Sequence, residues 1–302
     1  YIKDVPKTLK QERKGAEKKL VKDKKPIPIP TMEELRAEED EIKPYLIFTI
    51  LDEDKNIVKK ITKSASKGIN RLTWNLRYAS PRPVRIRDEK FNPLSGGGDG
   101  MFAMPGKYYV TISQYYRDSI SELVGPQEFN AVVLQNTTLP AEDRAELVAF
   151  QDKVAELGRA FYGAENAAED LMEKVQYIKQ AVQQSPDLPD ALLFRASQVE
   201  RELDEILWKF NGQRPKASRE ENWPAPPSLN QRMGYMAWSH WSSTSAVTQS
   251  QKDAYDIISD EFPPILEQLR RIKNVDLKAL EDELEAAGAP WTPGRIPEWE
   301  KE

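Results

Sequence analysis

The spacing of apolar residues changes along this chain and separates a strand-rich part from a helical part. Residues 45–61 (YLIFTILDEDKNIVKKI) consist of an apolar strand, a polar turn at 52–56 and a second strand, which predicts a β-hairpin. Within residues 68–77, the positions of Ile69, Leu72, Trp74 and Leu76 predict a half-buried strand. A strand at 107–113, a further hairpin at 115–124 and a last strand at 127–133 are also predicted.

The number and spacing of these strands indicate a fold class. Six or seven short strands separated by turns are typical of an immunoglobulin-like or fibronectin-like β-sandwich. We therefore expect such a sandwich over residues 45–135, with a long irregular loop rich in Pro, Arg and Gly at 81–100.

From residue 141 the apolar residues recur every three or four positions, which is the period of an amphipathic helix. Helices are predicted at 141–162, 165–184 and 189–210, and their short links favour antiparallel packing. Ser228 with Gln231, and Thr248 with Gln251, have the capping-box spacing that opens two more helices. The second of these contains Pro263 and Pro264, where we expect a bend or the start of a new helix.

The last helical pattern closes at Gly288. The sequence thus predicts an antiparallel α-helical bundle over residues 136–288, followed by an extended Trp/Pro-rich tail at 289–302 that lies back over the sandwich or a neighbouring domain.

Residues 5–44 form a charged insertion with its own pattern. A basic run at 6–25 and an acidic run at 32–42 flank the sequence PIPIP at 26–30, whose prolines favour an extended conformation. Thr31 with Glu34 has the capping-box spacing, so a second helix is expected there, packed beside the first as a charged helical hairpin. The basic run could dock an anionic partner such as phospholipid or lipopolysaccharide, but the favoured interpretation is a solvated insertion.

Composition excludes several kinds of chemistry. The 302 residues include no Cys and a single His, His240, which excludes disulfides, thiolate nucleophiles and cysteine-ligated metals. We expect no cofactor and no metal. The net charge of −5 argues against a nucleic-acid partner, and no apolar run reaches the length of a transmembrane segment. The net charge is also uneven, since the first 25 residues carry +6 and residues 136–302 carry −11.

The most prominent candidate site is an aromatic cluster formed by Trp223, Tyr235, Trp238 and Trp241, with His240 and a run of hydroxyl residues at 242–245 beside it. Because residues 235, 238 and 241 recur at helical spacing, core packing is the favoured interpretation. A partner or sugar-binding surface is the alternative, since aromatic rings stack on sugars. Catalysis through His240 has the least support, because no G-x-S-x-G context accompanies the serines.

Three smaller clusters contain residue types that bind ions or phosphate groups in other proteins. Arg82, Arg85 and Arg87 are candidates for contact with an anion or with an acidic protein face. The glycine loop at 95–100 lacks the Lys-Ser/Thr of a phosphate-binding loop, so a flexible loop is favoured. The residues Asp52, Asp54 and Asn56 imitate the start of a calcium loop, but a hairpin turn explains them better because the expected Gly and distal Glu are missing.

A family resemblance rests on motifs in both parts of the chain. The hairpin at 45–61, the sequence GINRLTWNLR at 68–77 and PGKYYV at 105–110 resemble the immunoglobulin-like module of the flagellar hook-capping protein. Together with LVGPQEF at 123–129 and AGAPWTPGRIP at 287–297, they are similar to the C-terminal region of bacterial sortilin-like BNR-repeat proteins, common in Bacteroidetes. The resemblance implies that residues 1–4 are the first strand of the sandwich.

The resemblance also implies a role. Proteins of this family carry one or two N-terminal β-propellers, so we expect an upstream propeller as the main partner, braced by a non-catalytic structural and interaction region. An acidic face of that propeller is then the favoured contact of Arg82, Arg85 and Arg87, and the tail at 289–302 is expected to lie over the sandwich or the propeller. It implies a secreted, periplasmic or cell-surface location in a Gram-negative envelope, with other envelope proteins as further partners. The alternatives are an accessory module of a secreted glycoside hydrolase or peptidase whose active site lies on the propeller, or a carbohydrate-binding module.

Overall fold

The protein combines α-helices with antiparallel β-sheets, divided between two compact units. The computed structural model describes residues 1–84, 90–134, 139–186, 188–213, 224–297 and Trp299. Unit 1 comprises Tyr1–Ser80 and Val84–Thr137, and unit 2 comprises Pro81–Pro83 and Thr138–Glu302. The expected mixture of strands and helices is therefore confirmed at the level of fold class.

Unit 1 contains a four-stranded and a two-stranded antiparallel sheet. The strands are β1 (Tyr45–Leu51), β2 (Ile57–Ser64), β3 (Arg77–Ala79), β4 (Asp99–Phe102), β5 (Gly106–Tyr116) and β6 (Ser119–Ala131). The larger sheet has the order β2-β1-β5-β6, and β3 pairs with β4 in the smaller one. Burial alternates along β1, where Leu46, Phe48 and Ile50 are buried, as the apolar period of two requires.

The core of unit 1 joins both sheets through aromatic side chains. Trp74, which precedes β3, meets Tyr108 of β5 edge-on with ring centroids 5.2 Å apart, and meets Phe129 of β6 at 5.9 Å. Tyr78 of β3 packs against the same cluster, which also contains the buried residues Ile50 and Val58. Edge-to-face packing of this kind is favourable for aromatic pairs, so these rings hold the small sheet on the large one.

Two strand predictions need correction. Residues 68–76 are not a strand: Ile69 and Leu76 are exposed, and Leu76 has a positive φ of 56°, which no strand residue adopts. The strand expected at 107–113, the hairpin expected at 115–124 and the strand expected at 127–133 are instead parts of one long hairpin, β5–β6, which turns at Arg117 and Asp118. At the register shifts near Val110 and Ile112, β6 contains more residues than the facing part of β5. These bulges allow Pro126 to lie within a continuous strand.

The N-terminal segment of unit 1 contains the expected pair of helices. Helix α1 (Leu9–Lys22) and helix α2 (Met32–Asp40) each begin at a threonine, Thr8 and Thr31, that forms a complete capping box. Arg13 of α1 holds Glu38 of α2 in a bidentate contact at 2.5 and 2.9 Å. Ile2 of the expected first strand pairs with Gly68 in an isolated β-bridge.

Unit 2 is a helical assembly with a single large core. Its helices are α3 (Arg144–Gln184), α4 (Asp190–Asn211), α5 (Leu229–Trp241), α6 (Gln249–Arg271) and α7 (Lys278–Ala286), with a π-helical segment at Ile272–Leu277 between the last two. Phe161 of α3, Phe210 of α4 and Phe262 of α6 meet at its centre, with ring centroids 4.9 to 6.4 Å apart. The capping boxes predicted at Ser228 and Thr248 are present.

Two helix predictions need correction. A link between two helices was expected at residues 162–165. The helix is not interrupted there, because α3 continues through these residues as one helix of 41 residues. The buried stripe continues in phase across the link through Phe161, Ala164 and Ala168, and a single helical glycine costs only about 1 kcal/mol. Of the two alternatives for Pro263 and Pro264, the start of a new helix is wrong, because both prolines lie inside α6. The packing of Phe262 and Ile265 in the core outweighs two lost hydrogen bonds.

The C-terminal tail packs within unit 2. Helix α7 ends as predicted near Gly288, which has a φ of +64°, the conformation that favours glycine after a helix. At Gly294 an added Cβ would lie 2.8 Å from Nζ of Lys174 in α3 and 3.7 Å from Oε1 of Glu281 in α7. The tail therefore lies against helices α3 and α7 of its own unit.

Candidate interaction site

Exposed tryptophans are the most unusual feature of unit 2. The structure describes the side chains of six of the seven tryptophans. Four of them are between 59% and 82% exposed, namely Trp208, Trp238, Trp291 and Trp299. Tryptophan is usually well buried and is enriched where proteins bind one another. These side chains are therefore the first candidates for contact with a partner.

Helix α5 divides the predicted aromatic cluster between core and solvent. Its buried face consists of Leu229, Met233, Met236, Ala237 and Trp241, which recur at spacings of three and four residues. Tyr235 and Trp238 lie off this face, and Trp238 is 81% exposed. Core packing is therefore the correct interpretation for Trp241, which is not available as a surface platform, whereas Tyr235 and Trp238 present an aromatic pair to solvent.

The hydroxyl residues in and after α5 take part in hydrogen bonds that hold the backbone and neighbouring side chains. The Oγ of Ser243 accepts the backbone N–H of Ser245 at 3.1 Å, and the N–H of Ala141 donates to the carbonyl of Thr244 at 2.9 Å. The hydroxyl of Ser239 donates to the carbonyl of Tyr235 and accepts the side-chain amide of Gln251 of α6 at 2.9 Å. These contacts give the hydroxyl groups of Ser239 and Ser243 structural roles. The side chain of His240 lies outside the described part of the structure.

Helix α4 carries a second exposed aromatic pair, Phe194 and Trp208. They are fourteen residues apart, which places them about 21 Å apart along the helix axis and within about 40° of the same face. The buried face of α4 is formed by other residues, including Leu192, Ala196, Val199 and Leu203. The two rings thus lie at opposite ends of the same solvent-facing side of the helix.

The tail presents a third exposed region, held by Arg295. Its guanidinium group is buried, contacts Oε2 of Glu285 at 3.0 Å, and donates to the carbonyls of Ala289 and Pro290 and to Oγ1 of Thr292. The indole Nε1 of Trp291 donates to the carbonyl of Arg295 at 2.7 Å. This network fixes the orientation of Trp291 while leaving most of its ring in solvent, so the indole is preorganised for contact.

Of the predicted arginine cluster and Trp223, the structure describes only Arg82. Arg82 belongs to unit 2, where its guanidinium carbon lies 5.1 Å from the ring centroid of Tyr162. Burial raises the pKa of Tyr162, and the nearby Arg82 opposes that rise. Trp223, Arg85 and Arg87 lie outside the described residues.

The candidate calcium residues form a hairpin turn. The carboxylate of Asp52 accepts the backbone N–H and the side-chain amide of Asn56, at 2.8 and 3.1 Å. Lys55 completes the turn with a φ of 68°, as the left-handed residue of such a loop does. The carboxylate of Asp52 therefore has a structural role in the β1–β2 connection.

A groove of about 700 Å³ in unit 1 is lined by the end of α2, the start of β1 and residues 90–94. Tyr45, Phe91 and Leu94 contribute to its apolar surface. The Nζ of Lys90 lies 3.8 Å from Oε1 of Glu39 and 3.7 Å from Oδ1 of Asp40. Glu41 in the same groove accepts the N–H of Leu9 at 2.7 Å. That carboxylate thus stabilises the N-terminus of α1, where a negative charge is favourable.

Within the described ranges, no three His, Cys, Asp or Glu side chains come together as metal ligands would. The same residues contain no helical stretch with the length and apolar character needed to span a bilayer.

Sequence reasoning did not identify Phe194, Trp208 and Trp291 as surface candidates. For Phe194 and Trp208 a signal existed, because both lie outside the apolar stripe of α4 that the sequence defines. For Trp291 no comparable signal existed, since the network of Arg295 joins backbone carbonyls that become neighbours only when the tail folds. Comparisons of the chain with protein-family models, with curated proteins and with solved structures found no match.

Proposed function

We propose that this chain is a structural and interaction region of a larger secreted or cell-surface protein of the sortilin-like BNR-repeat type. In this role it braces an upstream β-propeller and performs no catalysis of its own. The observation that carries the proposal is the exposure of Trp208, Trp238, Trp291 and Trp299 on unit 2. Large aromatic side chains dominate the binding energy of protein interfaces.

We also propose that unit 1 is an immunoglobulin-like module. Two antiparallel sheets that share an aromatic core, which includes Trp74, Tyr78, Tyr108 and Phe129, support this assignment. Such modules commonly serve as spacers or braces between larger domains, which agrees with the proposed role of the whole chain.

The test is direct binding between this chain and the upstream propeller of its parent protein, produced separately and measured by calorimetry. We expect a defined complex that is weakened at least about ten-fold by an alanine substitution at one or more of the four exposed tryptophans. Ile69→Ala, an exposed apolar position on unit 1, is the matched control and should leave the affinity unchanged. Absence of binding, or equal affinity for all four tryptophan variants and the parent chain, would contradict the proposal.

A carbohydrate-binding role is the second candidate, favoured by the exposed pair Tyr235 and Trp238 one helical turn apart on α5. Adjacent aromatic rings provide a platform for sugar rings. On a glycan array, binding that is lost in Trp238→Ala and kept in Trp208→Ala would support this role. No retained glycan, or equal loss in both variants, would exclude it.

A further inference from the structure

The connection between α1 and α2 forms a well-defined tip. Helix α1 ends with the N–H of Lys24 donating to the carbonyl of Val21 at 3.1 Å and the N–H of Lys25 donating to the carbonyl of Leu20 at 2.9 Å. Lys24 has a φ of 54°, so this is the Schellman pattern with lysine in the position that glycine usually occupies. The chain then extends through Pro26, Pro28 and Pro30 to the capping box of α2. We call residues 18–32 the hairpin tip.

The hairpin tip exposes aliphatic side chains in close succession. Val21, Ile27, Ile29 and Met32 are all exposed, with Ile29 at 91% and Met32 at 81%. Single exposed apolar residues are common on protein surfaces, but several within one short segment mark a contact surface. The alternating prolines keep Ile27 and Ile29 in an extended segment without a helix or sheet to cover them.

Lysines surround these apolar side chains. Lys18, Lys19, Lys22, Lys24 and Lys25 are all exposed, and with Asp23 they give residues 18–32 a net charge of +4. The acidic residues of α2 only partly offset this charge. Arg13 binds Glu38 and lowers its pKa, and Lys90 lies near Glu39 and Asp40. Only Glu33 and Glu34 adjoin the tip, and the carboxylate of Glu34 accepts the N–H of Thr31 in the capping box.

We infer that the hairpin tip docks on an anionic phospholipid surface. The lysines would lie among the headgroups while Ile27, Ile29 and Met32 enter the boundary with the acyl chains. Interfacial membrane binding requires this combination of exposed lysines and exposed aliphatic side chains in one segment. The bidentate contact of Arg13 with Glu38 holds α1 beside α2 and so keeps the tip at the end of a preformed hairpin.

The aliphatic residues distinguish a lipid surface from an acidic protein. An acidic protein surface would attract the lysines but would gain nothing from Ile29 and Met32, since charged surface offers no apolar cover. A bilayer accommodates both groups at once. This inference concerns unit 1 and is independent of the tryptophans of unit 2, so either proposal can fail without the other.

The test is co-sedimentation of the full chain with vesicles of phosphatidylcholine, with and without phosphatidylglycerol. We expect binding to the anionic vesicles only, weakened by added salt. Replacing Lys22, Lys24 and Lys25 together with Gln should lower the partition coefficient roughly a hundred-fold, at roughly five-fold for each lysine. The substitution Ile29→Ser should lower it roughly ten-fold, because the apolar side chain no longer enters the membrane.

Matched controls exist in the same unit. Ile69 is 86% exposed away from the tip, so Ile69→Ser should leave vesicle binding unchanged. A triple change of Lys3, Lys7 and Lys67 to Gln removes the same charge from other exposed positions and should have a much smaller effect than the tip variant.

Three outcomes would overturn the inference. The first is no binding to anionic vesicles. The second is an equal loss in the control and tip variants, which would indicate a nonspecific charge effect. The third is binding that depends on the lysines but is unchanged by Ile29→Ser. In that case the tip would be a site for an acidic protein or another polyanion, and binding to poly-glutamate with the same lysine dependence would identify it as such.

Discussion

The guanidinium group of Arg295 joins the tail to the end of α7 through several contacts at once. It is buried, and it reaches Glu285, Thr292 and the carbonyls of Ala289 and Pro290. A lysine at this position would have a single ammonium group that cannot satisfy these acceptors together. The tail therefore depends on the planar shape of this one side chain as much as on its charge.

We predict that Arg295→Lys lowers the free energy of unfolding of unit 2 by about 3 kcal/mol, the usual cost of breaking a buried charged network. Urea denaturation followed by tryptophan fluorescence measures the change. Arg195→Lys is the matched control, because Arg195 contacts Glu283 at 2.6 Å with both side chains nearly half exposed. Its expected cost is below about 1 kcal/mol, and equal effects of the two variants would refute the role of Arg295.

Tyr108 makes unit 1 sensitive to alkaline pH. Burial raises the pKa of Tyr108 to about 12, and its hydroxyl donates to the carbonyl of Met104 at 2.6 Å. In the unfolded chain a tyrosine titrates near pH 10. Because the folded-state pKa is the higher one, the stabilisation is fully present below about pH 10 and is lost as the pH rises toward about 12.

We predict that Tyr108→Phe reduces the loss of stability between about pH 10 and about pH 12 and lowers the stability of unit 1 at neutral pH by about 1 kcal/mol, since the hydrogen bond is removed. Unfolding measured by circular dichroism across this range checks both statements. Tyr1→Phe, at an exposed position, should unfold as the parent chain does. An alkaline unfolding profile of Tyr108→Phe identical to that of the parent would show that Tyr108 is not the responsible group.

At the scale of elements, the continuity of α3 can be tested at Gly163. This glycine is exposed within the helix, and an added Cβ would meet nothing within 4 Å. Gly163→Ala should therefore raise the free energy of unfolding by about 1 kcal/mol, the difference in helix propensity between the two residues. Thermal or urea unfolding measures it.

Gly288 provides the opposite control for this prediction. Its φ of +64° means that Gly288→Ala should destabilise unit 2 by about 1 kcal/mol. If residues 162–165 were a link between two helices, the gain in Gly163→Ala would be absent. A destabilised Gly163→Ala variant would therefore count against a continuous α3.

The elements that the sequence predicted well are those determined by local pattern. The alternation in β1 and the capping residues Thr31, Ser228 and Thr248 act within a few residues of themselves, so their signals can be read directly. The strand expected at residues 68–77 was wrong for all but Arg77, because a strand also needs a partner with free backbone groups, which local spacing does not reveal. The same limit explains why two helices were predicted where α3 is one, since small residues at 163 and 164 suggest a link only when the packing of Phe161 and Ala168 is ignored.

At the scale of the whole molecule, the charge pattern and the two units agree in broad outline. Residues 136–302 carry a charge of −11, and nearly all of them belong to unit 2, whereas the basic lysines of the hairpin tip belong to unit 1. The candidate site was only partly predictable from the sequence. Helix α5 has two rows of apolar residues at helical spacing, and the exposure of an aromatic side chain depends on which row the helix buries. On α5 the methionine and alanine stripe is buried, leaving Trp238 in solvent, and no property of Trp238 alone decides this.

The shape of β6 affects how the protein behaves when many copies are present together. In the described sheet order β6 is an outermost strand of 13 residues, long enough to pair with the same strand of another molecule. Pro126 offers no N–H to such a pairing, and the register shifts opposite Val110 and Ile112 bend the strand on either side. The irregularities that fit extra residues into β6 thus also limit the edge-to-edge association that begins many forms of aggregation.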